Sequence, residues 1–225
     1  FRKENPFYAP ENCVAWGSKP TAFNFMGGNL NGIRKSLSYL AELGVECIYL
    51  NPVFASPSNH KYDTTDYYKV DPHFGSNEDL RILVKEAHEK HIRVILDAVF
   101  NHTGTEFFAF ADLLKNQEKS EYQSWYHITC FPVREEADCY ECFFGFAGMP
   151  KLNTGNEKVQ EYFLNVLEYW VRKVQVDGYR FDVIDEIDEN FVLKIRDRLK
   201  RLNPELVLIG ETWAEGKRLL NGCEM

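Results

Sequence analysis

The sequence has 225 residues, of which 44% are hydrophobic and 15% aromatic, with 26 basic and 34 acidic side chains. This composition is typical of a soluble globular protein and excludes disordered, collagen-like and coiled-coil chains. The formal charge of −8 argues against binding to a nucleic-acid backbone, for which clustered Lys and Arg are needed. No apolar run approaches the roughly 20 residues of a membrane span. Residues 1–6 show no signal peptide, so a cytoplasmic protein is expected.

Six cysteines are spread along the chain, unlike the dense pattern of a small disulfide-stabilised domain. Cys13 and Cys47 lie in apolar, strand-like runs and are predicted to be buried. The Cys139-x-x-Cys142 spacing permits zinc, but a second such pair is missing, and no metal site is predicted. Cys130 and Cys223 complete the set. Without an export signal, a reducing cytoplasm is the expected setting.

Short apolar runs alternate with segments of helical period along the chain, and this alternation predicts parallel βα units. Five runs are predicted to be buried strands, at residues 13–16, 45–50, 93–97, 178–182 and 206–211. Apolar residues at helical spacing predict four helices, over residues 30–43, 80–87, 159–174 and 188–202. Gly44 is placed to end the first helix, and Ser76 or Asn77 to cap the second.

The stretch from residue 101 to 155 lacks a strong helical period and is rich in aromatic residues. We expect it to form a small irregular domain inserted after the third strand. The chain then divides into residues 1–100 with three strands, the insert 101–155, and residues 156–225 with two further strands. Because α/β barrels build their sites from loops at the carboxyl ends of strands, the insert is expected to form one wall of a cleft.

Three predicted strands end in a carboxylate, namely Asp97, Asp182 and Glu211. A single buried carboxylate could be a helix cap or half of a core ion pair. Three in register, with Arg180 on the same strand face as Asp182, favour a functional site. Paired carboxylates suit glycoside hydrolysis, with one as nucleophile and one as general acid/base. Arg180 is expected to keep Asp182 ionised, and Glu211 to need a raised pKa.

The segments around these residues carry a specific resemblance. Residues 97–102, 178–182 and 210–213 resemble three signatures of the α-amylase family, and residues 149–153, Met-Pro-Lys-Leu-Asn, resemble a signature of its neopullulanase, cyclomaltodextrinase and maltogenic amylase subgroup. The segments 58–63 and 70–75 are also similar to that subgroup. The likeness covers nearly the whole chain, in the family's order.

The resemblance implies a role for each matching position. Asp182 matches the nucleophile, Glu211 the general acid/base and Arg180 the arginine that orients the nucleophile. Asp97 matches a structural aspartate that supports the site. The implied activity is that of a retaining α-glucan hydrolase, with transglycosylation where a sugar hydroxyl replaces water. An α-1,6-glucosidase of the same family is the alternative enzyme.

Other residues receive substrate-binding roles from the same resemblance. Tyr62 matches a tyrosine that stacks beneath the sugar and His102 a histidine that contacts it, although an ordinary loop aromatic and a loop-capping histidine stay open. Trp213 and Phe146 are candidate stacking platforms or plain core residues. Glu186 falls in a pair that shapes the acceptor side in the subgroup, but the preceding residue is Asp rather than Asn, which leaves the linkage preference open.

The implied fold is an α/β (β/α)₈ TIM barrel, truncated after about strand 5, with the small insert after strand 3. A third acid and a second histidine of the family would lie beyond Met225, so the alternative is that the isolated chain is a non-catalytic fragment with little turnover. No cofactor is required, and calcium at Asn101 is allowed rather than implied. The expected partner is an α-glucan, not nucleic acid or membrane, and homo-oligomerisation is allowed by exposed sheet edges. A nucleotide-binding α/β protein is disfavoured because no strand precedes a Gly-rich phosphate loop.

Overall fold

The computed structural model describes residues 13–21, 24–213 and 215–219. Residues 1–6 and Cys223, to which expectations above refer, lie outside this part of the chain. Within it, no helix is both long and apolar enough to cross a lipid bilayer.

The strands are, in chain order, β1 (Cys47–Leu50), β2 (Phe54–Ala55), β3 (Asp66–Val70), β4 (Arg93–Ala98), β5 (Gly178–Phe181) and β6 (Val207–Gly210). Four of them form a parallel sheet in the order β1-β4-β5-β6, and β2 and β3 form a separate antiparallel pair. The sheet confirms four of the five predicted strands. Gly178 is essential to it, because a Cβ atom there would lie 1.9 Å from the carbonyl oxygen of Val207.

The α-helices are α1 (Leu30–Glu42), α2 (Asn77–His88), α3 (Phe108–Asn116), α4 (Glu157–Val174) and α5 (Glu189–Leu202). Local signals in the sequence set several of their ends. Ser76 caps α2 in a reciprocal capping box with Asp79, and the Asp188 side chain accepts a hydrogen bond from the third residue of α5. Gly44 follows α1 with a φ of +82°, as expected of a helix-terminating glycine. The four predicted helices are confirmed.

The hydrophobic core lies between one face of the sheet and helices α1, α2, α4 and α5. Leu96 and Tyr179, which are paired across β4 and β5, are almost fully buried there. Trp170 of α4 is also buried, and its indole N–H donates to the Tyr67 carbonyl of β3 at 2.8 Å. The opposite face of the sheet is more open, since Tyr49 is 41% and Ile209 44% exposed.

Two expectations for the N-terminal half are wrong. In residues 13–16 only Cys13 pairs, through a single bridge to Phe25, while Trp16 lies in a turn and is 79% exposed. Cys13 itself is half-buried, and Cys47 is exposed rather than buried. Side chains alternate along a strand, so Cys47 shares the open face of β1 with Tyr49, whereas Leu50 faces the core.

The insert, residues 101–155, contains α3, which its sequence pattern did not predict, followed by short turns and isolated bridges. A bridge between His102 and Lys151 joins its two ends. Cys130 and Cys139 form a disulfide, so Cys139 is not available with Cys142 as a thiolate pair. The division of the chain into three domains stays a prediction.

Candidate active site

One guanidinium group, that of Arg180, contacts three carboxylates. Its Nη1 atom lies 3.0 Å from both oxygens of Asp97 and 2.8 Å from Asp182 Oδ1, and its Nη2 atom lies 2.7 Å from Glu211 Oε2. Asp97 and Asp182 are buried, whereas the side chain of Glu211 is 31% exposed. The structure therefore brings together the four charged residues that the strand ends predict.

The sheet register explains why these groups meet. Asp97 of β4 pairs with Arg180 of β5, and Arg180 pairs with Ile209 of β6. Asp182 lies two residues after Arg180, and Glu211 lies two residues after Ile209. Because side chains alternate along a strand, both extend from the same face of the sheet as Arg180. Both follow directly on the last strand residue, where the backbone leaves the sheet. The cluster is thus a direct consequence of parallel pairing.

Two tyrosines complete the environment of Asp97. The hydroxyl groups of Tyr49 and Tyr62 both donate to Asp97 Oδ2, the second at 3.3 Å. The Arg180 guanidinium lies 6.0 Å from the centre of the Tyr49 ring. Asp97 is therefore fully engaged by protein donors, which fits its expected supporting role, and Tyr62 lies at the edge of the carboxylate cluster.

The backbone of Val183, the residue after Asp182, holds the Glu211 carboxylate in place. Val183 has a φ of 47°, a conformation that is rare for a β-branched residue. Its N–H donates to Glu211 Oε2 at 3.1 Å, and the N–H of Ile184 donates to the Glu211 carbonyl at 3.0 Å. The strained turn after β5 thus fixes the carboxylate at the end of β6 relative to Asp182.

The protonation preferences of the two carboxyl groups are the reverse of those expected from the sequence. Burial and the neighbouring Asp97 raise the pKa of Asp182 to about 7, and Arg180 only partly offsets them. Partial burial alone would raise the pKa of Glu211, but the Val183 amide and Arg180 lower it below its ordinary value. The physical reason is that one guanidinium is shared by three carboxylates, and the most buried of them keep a proton most readily.

His102 is not open to solvent in this structure. It is fully buried beneath Phe143, with the two ring centres 4.6 Å apart and the planes inclined by 24°. Burial lowers the pKa of His102 to about 4, so the ring is neutral at physiological pH. Its Nε2 atom has no hydrogen-bond partner among the described residues. Contact with a sugar would therefore require Phe143 to move, and that role stays a prediction.

The Trp213 ring contacts two aromatic residues of the insert. Its ring stacks on Phe144 of the insert, with centres 5.0 Å apart and planes inclined by 13°, and lies 6.2 Å from Phe143. Trp213 is 58% and Phe144 65% exposed. Phe146 is also exposed, but it takes part in no ring contact recorded for the described residues. Trp213 and Phe144 thus form one aromatic surface, and the role of Phe146 stays a prediction.

A second contact joins the insert to the loop after β5. Lys151 Nζ lies 2.7 Å from Glu186 Oε2. Glu186 remains 54% exposed, and its role at the acceptor side stays a prediction.

Sequence reasoning missed several residues that contact the site. Tyr49 could have been found, because it is the polar member of β1 on the face that carries the carboxylates. Phe143, Phe144 and Lys151 lie in the irregular insert, where no periodic pattern indicates which side chains face the sheet. Their contacts are visible only in the folded chain.

Calcium at Asn101 stays a prediction. The Oδ1 atom of Asn101 is buried and has no hydrogen-bond partner among the described residues. Ca²⁺ takes six to eight oxygen ligands, with carboxylates prominent, and within residues 13–21, 24–213 and 215–219 no group of three carboxylate, histidine or cysteine ligands includes a neighbour of Asn101 in sequence. No role for calcium is derived.

The chain is similar to known proteins over almost its whole length. Residues 9–218 match the family described as "Alpha amylase, catalytic domain". The chain is 48% identical to a cyclomaltodextrinase of Geobacillus thermopakistaniensis, covering 99% of this chain and 38% of that protein. It is 45% identical to the intracellular maltogenic amylase of Bacillus subtilis, covering 96% of this chain and 37% of that protein.

A solved structure is similar to this chain over almost its whole length. The cyclic α-maltosyl-(1→6)-maltose hydrolase of Arthrobacter globiformis is 36% identical and superimposes with a TM-score of 0.92, covering 97% of this chain and 50% of that chain. The sequence therefore spans about two-fifths of the length of the curated relatives described here and half of this solved structure.

Proposed function

The chain belongs to the α-amylase family, whose catalytic domain is a (β/α)₈ barrel, and we propose that a protein carrying it is a retaining hydrolase of α-glucans. One observation carries the proposal: Asp182 and Glu211 contact the same guanidinium, at the ends of adjacent parallel strands. Retaining glycosidases use two carboxyl groups about 5–5.5 Å apart, whereas inverting enzymes leave a wider gap for water. Two groups on one guanidinium suit the closer arrangement.

The residues suit a two-step reaction. Ionised Asp182 attacks the anomeric carbon while protonated Glu211 gives its proton to the departing glucosyl oxygen, and the glycosidic bond breaks. Glu211, now ionised, takes a proton from water, and the water oxygen displaces Asp182 from the anomeric carbon. Both carboxyl groups then return to their starting states. A sugar hydroxyl in place of water gives transglycosylation.

The first step needs the proton on Glu211, whereas the free site favours it on Asp182. The two states have the same net charge, and they differ by transfer of one proton within the cluster. A bound sugar covers the partly exposed Glu211, and loss of solvent raises the pKa of a carboxyl group. We therefore expect substrate binding itself to favour the reactive state.

The substrate class is supported by the relatives, which are named as a cyclomaltodextrinase and a maltogenic amylase. The stacked Phe144 and Trp213 rings offer an apolar surface suited to the faces of glucose units. Whether cyclic or branched α-glucans are preferred is decided by measuring turnover of β-cyclodextrin and of pullulan side by side.

A cytoplasmic location is also a proposal. The Bacillus subtilis relative is named intracellular, which supports it. The Cys130–Cys139 disulfide argues for an oxidising compartment, because such bonds are rare in the cytosol of most organisms. Detection of free or bonded cysteines in protein taken from its native cell decides between the two. Association between copies likewise stays a prediction.

The activity is tested by reducing-sugar release, on this chain and on the longest natural protein that carries it. Asp182→Asn is expected to abolish turnover of every substrate, since it removes the nucleophile. Glu211→Ala is expected to abolish turnover of cyclodextrin but to spare the initial burst of aryl release from an aryl α-maltoside with an acidic leaving group, because that first step needs no proton whereas the hydrolysis step still lacks its base. Asp138→Asn, at an exposed carboxylate of the insert, is the control.

Two results would speak against the proposal. Full activity of Asp182→Asn would exclude this residue as nucleophile, and an equal loss of the first step on both substrates in Glu211→Ala would exclude an acid/base role. Turnover by the longer protein without turnover by the 225-residue chain would support the non-catalytic alternative for the isolated chain. Activity of the isolated chain that Asp182→Asn removes would exclude that alternative.

A further inference from the structure

A lysine and an aspartate are buried together behind the loop that carries Tyr62. The Lys61 side chain is 0% exposed and that of Asp71 4%, with Nζ and Oδ2 2.8 Å apart. Nζ also donates to the Ser56 carbonyl at 2.8 Å. Replacing a buried ion pair by apolar residues is often neutral or stabilising. A buried ion pair is therefore weak evidence for a contribution to stability, and its contacts with the neighbouring loop are the place to look for another role.

The pair is held in a single geometry by its surroundings. Lys61 Nζ lies 5.2 Å from the centre of the Phe25 ring and 5.7 Å from that of Phe74, within cation–π range. Asp71 accepts hydrogen bonds from the backbone N–H groups of Ser56 at 3.2 Å and His73 at 2.9 Å. Asp71 thereby joins Ser56, which follows β2, to His73, which follows β3, at the two sides of the loop that carries Tyr62.

The loop points its neighbouring side chains in opposite directions. Lys61 has a φ of 68°, in the left-handed region that few residues other than glycine adopt. Lys61 is turned inward, whereas Asn59, His60 and Tyr62 line a cavity of about 790 Å³. The Lys61 backbone N–H also donates to Ser58 Oγ at 3.1 Å. The buried ammonium thus anchors the cavity wall from behind.

The next residue connects this anchor to the carboxylate cluster. The Tyr62 hydroxyl donates to Asp97 Oδ2 at 3.3 Å, and Asp97 contacts the Arg180 guanidinium. This hydrogen bond is long, so a small displacement of the loop breaks it. Tyr62 follows directly on Lys61, whose side chain is fixed in the core, so the position of the Tyr62 backbone depends on Lys61.

We propose that Lys61 and Asp71 are a positioning pair, which holds the Tyr62 ring in the cavity wall and its hydroxyl group on Asp97. Neither residue reaches the reacting atoms, and both act through Tyr62. The effect on turnover rests on the proposed function, whereas the placement of Tyr62 does not and is measured without turnover.

Placement is tested by ¹⁹F NMR of protein labelled with 3-fluorotyrosine, with the Tyr62 signal assigned by its loss in Tyr62→Phe. Lys61→Met is expected to shift or broaden the Tyr62 signal. Lys69→Met makes the same change at an exposed lysine of β3 and is expected to leave the Tyr62 signal in place. An unchanged Tyr62 signal in folded Lys61→Met protein would overturn the proposal.

A second variant covers the case in which Lys61→Met does not fold because Asp71 loses its buried cation and is left with the partly exposed His73, whose Nδ1 atom lies 2.8 Å from Asp71 Oδ1. Lys61→Met/Asp71→Leu removes both charges together, and such exchanges are compatible with a stable fold. Far-UV circular dichroism checks that it folds. The Tyr62 signal is expected to be displaced in this folded double variant, and a native Tyr62 signal there would equally overturn the proposal.

A kinetic cycle separates positioning from general support of the fold. Lys61→Met is expected to lower kcat on the order of 100-fold, as for a misplaced site group, and to cause no further loss in the Tyr62→Ala background, which lacks both the ring and the hydroxyl group. If the fold-losses in kcat of the two single variants multiply in the double variant, Lys61 has a merely structural role. The cycle is measured in the longest natural protein that carries this chain. If its wild-type form turns over no α-glucan, the proposed function fails, and the NMR result still decides the placement of Tyr62.

Discussion

Replacing Asp182, the proposed nucleophile, by its neutral counterpart is expected to stabilise the chain. Asp182 is buried beside Asp97, and its pKa is raised from the ordinary 3.8 to about 7. In Asp182→Asn the shape is kept, the amide oxygen still faces Arg180, and the charge that the site disfavours is gone. The substitution is therefore predicted to raise the free energy of unfolding at alkaline pH while it removes activity.

The magnitude follows from the pKa. A group whose folded pKa lies above its unfolded pKa binds its proton more tightly in the folded state, so stability falls as pH rises between the two values. Each pKa unit corresponds to about 1.4 kcal/mol. For Asp182 the window runs from about pH 4 to about pH 7, and above it the wild type has lost about 4 kcal/mol. Asp182→Asn avoids this loss but has a weaker contact with Arg180, so its advantage above pH 7 is about 2–4 kcal/mol.

The assay is urea unfolding of wild type and Asp182→Asn between pH 4 and pH 8.5. The variant should be more stable by about 2–4 kcal/mol at pH 8 and nearly equal to wild type at pH 4. Asp138→Asn, at an exposed carboxylate, should show no such pH dependence. A difference that does not change with pH, or a less stable variant at pH 8, would refute this account of the cluster.

Three further outcomes follow from the contacts described. Arg180→Met should lower the free energy of unfolding by about 3–5 kcal/mol at pH 7, because it leaves buried carboxylates unpaired; a urea midpoint like that of wild type would contradict this. Trp170→Phe removes the hydrogen bond to the Tyr67 carbonyl and should cost about 1–3 kcal/mol, so an unchanged melting temperature would be the opposing result. Reduction of the Cys130–Cys139 disulfide should cost about 2–3 kcal/mol in calorimetry, and an identical melting curve in dithiothreitol would show that this bond contributes nothing.

Much of the fold was predictable because its signals are local. Ser76 with Asp79, Asp188 before α5 and Gly44 after α1 each set a helix end through contacts within a few residues. The strand ends at Asp97 and Asp182 were visible for the same reason. The register that unites them follows from parallel pairing, which the alternation of strands and helices predicts.

The predictions that were wrong share a physical cause. Each concerns a property, exposure or pKa, that is decided by residues distant in sequence. Cys47 has an apolar neighbourhood in sequence, but its exposure is decided by which face of β1 the helices cover. The pKa order of Asp182 and Glu211 depends on Arg180 being shared, on the depth of each carboxyl group and on the Val183 amide. No sequence pattern contains these quantities.

Contacts of the insert at the candidate site also depend on residues that are distant in sequence, and the sequence did not predict them. Phe143 covers His102, and Phe144 stacks on Trp213, although these pairs are far apart in sequence. A motif match places His102 and Trp213 near a sugar, but only the folded insert shows what covers them. The aromatic richness of residues 101–155 gave no indication of which residues outside the insert these rings contact.

The most direct test of the central claim is to trap the covalent intermediate in the longest natural protein that carries this chain. A 5-fluoro-α-glucosyl fluoride, which forms the glycosyl-enzyme quickly and releases it slowly, is added and the digested protein is analysed by mass spectrometry. The account predicts a single added sugar on Asp182, together with products of retained α configuration. A sugar on another carboxylate, or products of inverted configuration, would contradict it.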